Sequence, residues 1–284
     1  MQNGKRVLIT GVNVGIGLAT AKLFAAKGYQ VVGSVRSLET ISPELKAALK
    51  EEPLKMVQME LTDATSVERG YSEAIAILGA IDILINNAGI GELGAVEDTD
   101  LVDSRKLFEV NYFSPVTLIK KVLPGMRERG HGAILNLGSI VHDLQFPFKA
   151  QYCASKSALT GFTLALRYEV YPYGIRVHLF EPGWVRSAFH KRMQPVLKPA
   201  SPYQKRLKPF LDFSRDTNPN IPNGDAVALV ILQTLENPNA PVRVAVGAEA
   251  KKFRIARRLL SNRMLDRLLL WKLAKKGEGD SAVL

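Results

Sequence analysis

One cysteine, Cys153, stands in 284 residues, so no disulfide can form within the chain. The four histidines, His131, His142, His178 and His190, show no metal-ligand spacing with it or with one another, so no metal is expected. No apolar run approaches the ~18 residues that a membrane-spanning helix needs. The stretch before the first apolar run, Met1-Gln-Asn-Gly-Lys-Arg, leaves no room for a signal peptide, and a cytoplasmic protein is expected. Internal repeats, low-complexity tracts and a second domain are also missing. What remains is a chain with 46% hydrophobic residues, enough for one large core, and alternating strand and helix patterns that argue for a single α/β domain.

The first such unit runs Lys5-Arg-Val-Leu-Ile-Thr10, then Gly11-Val-Asn-Val-Gly15-Ile-Gly17, then a helical pattern from Leu18 to Lys27. It reads as strand, glycine turn, helix. Glycines allow the tight turn and a close backbone approach to a pyrophosphate, and the helix N-terminus adds a partial positive charge. A dinucleotide is the ligand implied. The second strand, Tyr29 to Val35, ends without the acid that would accept from an adenosine 2′-hydroxyl and has Arg36 and Ser37 instead. A guanidinium suits a 2′-phosphate, so NADP(H) is favoured over NAD(H).

Further apolar runs end in amides or small residues: Asp82 to Gly89 with Asn86 and Asn87, and Gly132 to Ser139. In a parallel sheet, ligands sit at the carboxyl ends of strands. Asn87 suits a turn as well as a site, and Ser139 a helix cap as well as a site. Beyond them, Gln151-Tyr-Cys-Ala-Ser-Lys156 places Tyr152 and Lys156 four residues apart, on one helical face. A phenol titrates near ~10, and a nearby cation favours its ionised form, bringing the proton toward neutral-pH transfer. By itself the pair also fits a packed tyrosine beside a solvated lysine.

In order along the chain, the glycine turn, Asn86-Asn-Ala-Gly89, Asn111, Ser139, Tyr152, Lys156 and Pro182-Gly183 resemble the short-chain dehydrogenase/reductase family, over roughly residues 5 to 247. The resemblance implies a Rossmann-type, doubly wound sheet of seven parallel strands flanked by helices. It implies Tyr152 as general acid or base, Ser139 orienting the substrate oxygen, Lys156 on the nicotinamide ribose lowering the phenol pKa, and Asn111 holding a relay water. Cofactor contacts would come from Gly11, Gly15, Ile16, Gly17, Arg36, Glu60, Leu61, Asn87, Ala88, Gly89, Tyr152, Lys156, Pro182, Gly183, Val185 and Ser187. The sequence departs from the family pattern in having Glu60 for the usual aspartate, Ser187 for threonine, and Val14 where many NADP-using members carry a basic residue.

The segment from about 184 to 225 occupies the family's substrate lid and carries Phe189, Met193, Val196, Leu197, Tyr203, Phe210, Leu211 and Phe213. It either covers an apolar substrate or completes the core. Ile140 to Phe148 would line the opposite wall, where His142 could touch a polar group of the substrate but is read first as solvent-facing. Domain boundaries follow: 1–250 as one cofactor-binding and catalytic domain with its lid, and 251–284 as a tail.

Between Lys251 and Lys276 that tail holds ten lysines and arginines against Asp266, +9 of the chain's +11. Phe253, Ala256, Leu260, Met264, Leu268 and Trp271 recur at helical spacing, which describes an amphipathic helical extension. It would lie either across the substrate pocket or on an anionic membrane surface. The rest of the chain carries only +2, too little for a nucleic-acid-tracking surface.

Tail and the segment Glu181 to Phe189 look most like the 17β-hydroxysteroid and retinol dehydrogenase-like branch. This implies hydride transfer between NADP(H) and a carbonyl or secondary alcohol of a hydrophobic substrate, such as a steroid, retinoid, fatty aldehyde or ketone. The alternatives are a 3-oxoacyl or other acyl-chain reductase and, outside enzymes, an NADPH-binding regulator. Family members commonly pair through the helices carrying Asn111 and Tyr152, so Phe113 to Leu123 and Leu159 to Val170 could form a homodimer or homotetramer interface, the alternative being a monomer whose tail covers that surface.

Overall fold

The computed structural model describes residues 4–186, 189, 193, 195–207, 221–267 and 270. Seven short runs become the strands of one parallel sheet: β1 (Arg6–Thr10), β2 (Gln30–Val35), β3 (Leu54–Gln58), β4 (Ile83–Asn86), β6 (Gly132–Leu137), β7 (Ile175–Pro182) and β9 (Arg243–Val246). Their order across the sheet is β3-β2-β1-β4-β6-β7-β9. The chain moves outward from β1 to β3 and then returns to the other side of β1. That reversal opens a crevice at the carboxyl ends of β1 and β4, where Ile9 pairs with Ile85. β5 (Leu93–Gly94) and β8 (Pro195–Val196) form a separate parallel pair outside this sheet.

Side chains alternate across the sheet with a period of two. In β1, Val7 and Ile9 face a core with Phe24 of α1 (Gly15–Ala26), Leu45 of α2 (Pro43–Glu51) and Ile231 of α7 (Gly224–Glu236). Leu8 faces the opposite core, with Val67 of α3 (Ala64–Leu78), Ile119 of α5 (Ser114–Arg129) and Leu166 of α6 (Ala150–Val170). Each such buried side chain contributes about 1.5–3 kcal/mol. Leu118, Ile119, Val122, Leu159 and Leu166, expected at a subunit interface, point into the protein's own core; Phe113, Tyr168 and Tyr171 stay exposed.

Two local features set up the site. Between α4 (Leu101–Phe108) and α5, residues Glu109–Phe113 form a wide π-helical turn that contains Asn111. After β9, Gly247 leads into α8 (Ala248–Leu259), so the helix holding the start of the basic tail begins before Lys251. Leu268 and Trp271 lie outside the described residues.

At the amino ends of β1 and β4, opposite the crevice, Arg6 grips Asp82. Its Nε and Nη2 donate to the carboxylate at 2.8 and 2.7 Å, and its backbone N–H adds a third bond at 3.1 Å. Burial alone would raise the Asp82 pKa; the bonds and charge of Arg6, with Arg129 nearby, pull it below the ordinary carboxylate value. A lowered pKa stabilises the fold above the unfolded carboxylate's pKa, and this contribution is lost as pH falls. Asp82→Asn should therefore cost about 1–3 kcal/mol at pH 7 in urea unfolding, with the difference from the parent narrowing below about pH 4.

Candidate active site

The glycine turn fits a pyrophosphate. Gly11 and Gly15 adopt φ of +72° and +64°, which side chains resist. The cap of α1 is Val14, which makes no side-chain hydrogen bond, and no acid stands in the first turn. The opening N–H groups therefore remain available to an anion. A Cβ on Gly11 would come 2.9 Å from Ala88 Cα, and one on Gly17 would run into the Gly11 carbonyl and the Asn87 amide. Asn87 completes the cradle, donating from Nδ2 to the carbonyls of Thr10 (2.8 Å) and Gly11 (3.0 Å). Thr10 Oγ1 accepts from the N–H groups of Asn87 and Ala88. Ile16 packs against the core beneath, and buried Leu61 offers its carbonyl to Ser114 Oγ.

Two residues here went unmarked in the sequence. Thr10 ends β1 as the acceptor just described. Asn13 accepts from the Ser42 N–H at 2.7 Å and ties α2 to the turn. Both act through partners more than 25 residues away, so no local spacing signals them.

At the adenosine corner, Arg36 is 78% exposed and its Nε lies 4.0 Å from Glu60 Oε2. Glu60 Oε1 accepts from the N–H and hydroxyl of Thr62. A carboxylate thus does stand in this corner, contrary to what the end of β2 alone suggested, because the sheet sets β3 alongside β2. So long and exposed a pair is weak, and a stronger anion can draw Arg36 away from it.

Tyr152 and Lys156 are both buried on α6, with Lys156 Nζ 6.0 Å from the phenol ring centre. Burial pushes the Tyr152 phenol up to about 12, against its hydrogen bond with Ser139, and brings Lys156 down to about 8. The phenol therefore moves opposite to the direction expected from the lysine. The ammonium lies over the ring and donates to the Leu137 carbonyl at 2.8 Å, and desolvation sets the direction of the phenol's shift. Ser139 follows β6, and its carbonyl lies 2.6 Å from His142 Nδ1. Asn111 staples the loop after β4 to α6: Oδ1 accepts from the Ile90 N–H, and Nδ2 donates to the Ile90 carbonyl and Ser155 Oγ. With both amide hydrogens committed, a relay water at Asn111 has only oxygens to bind. Gly89 runs between them, where a Cβ would stand 3.3 Å from Asn111 Oδ1 and 3.6 Å from Lys156 Nζ.

An apolar cluster encloses Tyr152. Phe189 lies 5.9 Å from it ring to ring, Phe146 meets Trp184 edge-on, and Met193, Leu93, Cys153 and Leu207 fill in. Residues 195–201 are pinned to the loop after β4 by the β5–β8 pair, by Ser201 Oγ donating to Asp98 at 2.5 Å, and by Lys198 Nζ on the Glu97 carbonyl. Gly183 N–H bonds to the Val246 carbonyl, Pro182 pairs with Val246 in the sheet, and Val185 is buried against the core. Ser187, Phe210, Leu211 and Phe213 lie outside the described residues.

His142 is a correction. Its side chain is only 6% exposed, and it joins Asp143, Glu181 and Arg243 instead of facing solvent. Among the described residues, His142, Asp143 and Glu181 form the one group of ligand-type side chains close enough to share a cation, and the Arg243 guanidinium already stands among them.

The family model for short chain dehydrogenase matches residues 5–197. A mouse protein named dehydrogenase/reductase SDR family member 7B is 36% identical over 64% of this chain and 58% of its own length. A Bacteroides thetaiotaomicron protein named 3-ketodihydrosphingosine reductase is 34% identical over 64% of this chain and 65% of its own. The chain thus spans less than two thirds of the length of these curated relatives. The crystal structure of a short-chain dehydrogenase from Streptomyces avermitilis superimposes with a TM-score of 0.80 at 30% identity, covering 97% of this chain and 100% of that one. The chain belongs to the short-chain dehydrogenase family.

Gly17→Ala tests the cradle. The added methyl has no room, so it should cost about 1–3 kcal/mol of stability, and fluorescence titration of NADPH should show affinity weakened by about tenfold or more, equivalent to ~1.4 kcal/mol.

Proposed function

We propose that the protein is an NADP(H)-dependent oxidoreductase that interconverts a carbonyl and an alcohol on a hydrophobic substrate, with Tyr152 as general acid and base. The observation that carries this reading is the bonded Ser139–Tyr152 hydroxyl pair, set beside Lys156 inside an apolar enclosure. The residues of the glycine turn, Asn87 to Gly89 and Lys156 would hold the dinucleotide, and Arg36 its 2′-phosphate. Bound there, the nicotinamide supplies the hydride.

The protein's part is placement and proton transfer. Ser139 and Tyr152 direct two hydroxyl donors at the carbonyl oxygen, where negative charge develops during reduction. A phenol near 12 is fully protonated at neutral pH, so its proton is in place to be delivered. Lys156, near 8, is still largely charged at pH 7 and offsets the phenolate left behind. The aromatic and aliphatic wall excludes water and favours an apolar substrate. A long-chain ketone agrees with that wall and with the name of the Bacteroides relative, which keeps acyl-chain reduction as the second reading. A regulator that binds NADPH without turnover would have no use for the Tyr152–Ser139 pair.

The test is NADPH and NADH oxidation across a steroid ketone, retinal, decanal and a medium-chain 3-oxoacyl ester. Turnover should prefer NADPH and fall about 100-fold or more in Tyr152→Phe. Full activity in that variant would remove Tyr152 as proton donor, and tight NADPH binding without turnover would favour the regulator.

We also propose that α8 and the turn after it rest on an anionic membrane surface. No helix among the described residues is long and apolar enough to cross a membrane. Ile255, Leu259 and Met264 are 61%, 75% and 52% exposed, flanked by Lys251, Lys252, Arg254, Arg258 and Arg263. Apolar side chains in a cationic collar suit lipid headgroups. Exposed Phe113, Tyr168 and Tyr171 support pairing into a dimer or tetramer. The protein should sediment with phosphatidylserine vesicles but not with phosphatidylcholine vesicles, and Ile255→Ser with Leu259→Ser should abolish that; equal sedimentation of parent and variant would disprove the contact.

A further inference from the structure

Behind Ser139, three segments bring charged and titratable side chains together: His142 and Asp143 from the loop after β6, Glu181 at the end of β7, and Arg243 at the start of β9. The sheet accounts for the last two. It pairs Leu179 with Arg243 and Glu181 with Ala245, so the period of two puts Glu181 and Arg243 on one face as diagonal neighbours. Glu181 is only 1% exposed, and from α8 Arg254 donates to the Arg243 carbonyl at 3.1 Å. The Arg243 guanidinium is a rigid fork whose N–H groups only donate.

That fork assigns the hydrogens of the cluster. Arg243 Nε–H serves Glu181, at 2.9 Å from Oε1 and 3.1 Å from Oε2. Nη2 lies 2.6 Å from the same Oε1, which is already served, and its two hydrogens answer Asp143 Oδ2 at 2.9 Å and His142 Nε2 at 2.8 Å. His142 Nε2 is therefore an acceptor, and the proton of the neutral ring sits on Nδ1. There it meets the Ser139 carbonyl, which can only accept, 2.6 Å away. Both ends of the ring call for the same tautomer. Without the guanidinium the opposite one is favoured, because Glu181 Oε1 and Asp143 Oδ2 each stand 3.1 Å from Nε2 and would draw the proton to that side.

We propose that Arg243 is a positioning residue for carbonyl reduction: by donating to His142 Nε2 it commits the ring to the Nδ1–H form that holds the Ser139 peptide. This rests on the reading of Ser139 as the hydroxyl that orients the substrate oxygen. In an imidazole, the bond made by one nitrogen decides whether the other carries hydrogen. Ser139 is extended, at φ −168° and ψ 155°, and the His142 backbone N–H reaches its carbonyl only at 3.4 Å. The ring bond is the shorter of the two by far. A ring turned to Nε2–H sets a lone pair against the carbonyl oxygen, which pushes the peptide away and moves the Ser139 hydroxyl off its aim at the substrate oxygen.

The test pairs imidazole nitrogen NMR of the NADP+-bound protein at about pH 8.5, well above the ordinary histidine pKa, with decanal reduction at the same pH. His142 should carry its proton on Nδ1 in the parent and on Nε2 in Arg243→Met. Turnover in Arg243→Met should fall about tenfold, equivalent to ~1.4 kcal/mol, with the NADPH KM unchanged. Asparagine places an amide nitrogen where the ring has Nδ1 and has no tautomer to choose, so adding His142→Asn to Arg243→Met should restore most of the turnover. A double variant as slow as Arg243→Met assigns the arginine to packing and overturns the proposal, as does an Nδ1–H ring or full turnover in Arg243→Met. An Nε2–H or doubly protonated ring in the parent, or full turnover in His142→Leu, overturns it whether or not the arginine variant folds. Full turnover in Ser139→Ala would overturn the reading of Ser139 itself, and the proposal with it.

Discussion

Everything at the site hangs on the junction between the ends of β1 and β4. Asn87 holds it by donating to the Thr10 and Gly11 carbonyls, and Thr10 answers by accepting from the Asn87 and Ala88 N–H groups. The bonds succeed only because Gly11 and Gly17 present no Cβ, which lets two peptide segments and a helix approach to van der Waals distance. That contact sets where the N-terminus of α1 points and where Gly89 passes Asn111 and Lys156. A shift of one ångström there would move the cofactor cradle relative to the Tyr152 helix, and catalytic geometry tolerates little of that.

Burial is the second organising constraint. Around Tyr152 it displaces two pKa values in opposite directions, up to about 12 for the phenol and down to about 8 for Lys156. The two groups thereby move apart in proton affinity, so phenol and ammonium both keep their protons at neutral pH in the absence of ligand. The same dryness strengthens each remaining polar contact, including the Ser139–Tyr152 pair and the charged cluster behind it. Phe189 and Met193 contribute to this, and residues 195–201 are held by bonds to residues 93–98 rather than by apolar contact alone.

Much of this was legible in sequence because it is periodic or local. The strands announce themselves as short apolar runs, and alternation within β1 sorts Val7 and Ile9 from Leu8 onto the two faces. The glycine turn and the Tyr152–Lys156 spacing each lie within one element and its flanks. The misjudged features are all contacts between distant segments. His142 reads as a loop histidine until β9 delivers Arg243 a hundred residues later. The end of β2 shows no acid beside Arg36, and although Glu60 reads as a cofactor contact, only the pairing of β3 with β2 sets it against that guanidinium. Apolar residues on α5 and α6 suit a partner or a core equally well by pattern, and only packing sends Leu118 and Leu166 inward.

By itself, then, the sequence determined the elements, the parallel doubly wound sheet, the family and the identity of the groups able to handle a proton. Backbone dihedral preference and side-chain period act over a few residues, so these can be read along the chain. Tertiary structure alone decided the electrostatics: which carboxylate meets which guanidinium, how dry Tyr152 becomes, and that Ser139 is backed by His142 and Glu181. Coulombic and desolvation energies depend on distance and burial in space, and neither can be read from spacing along the sequence.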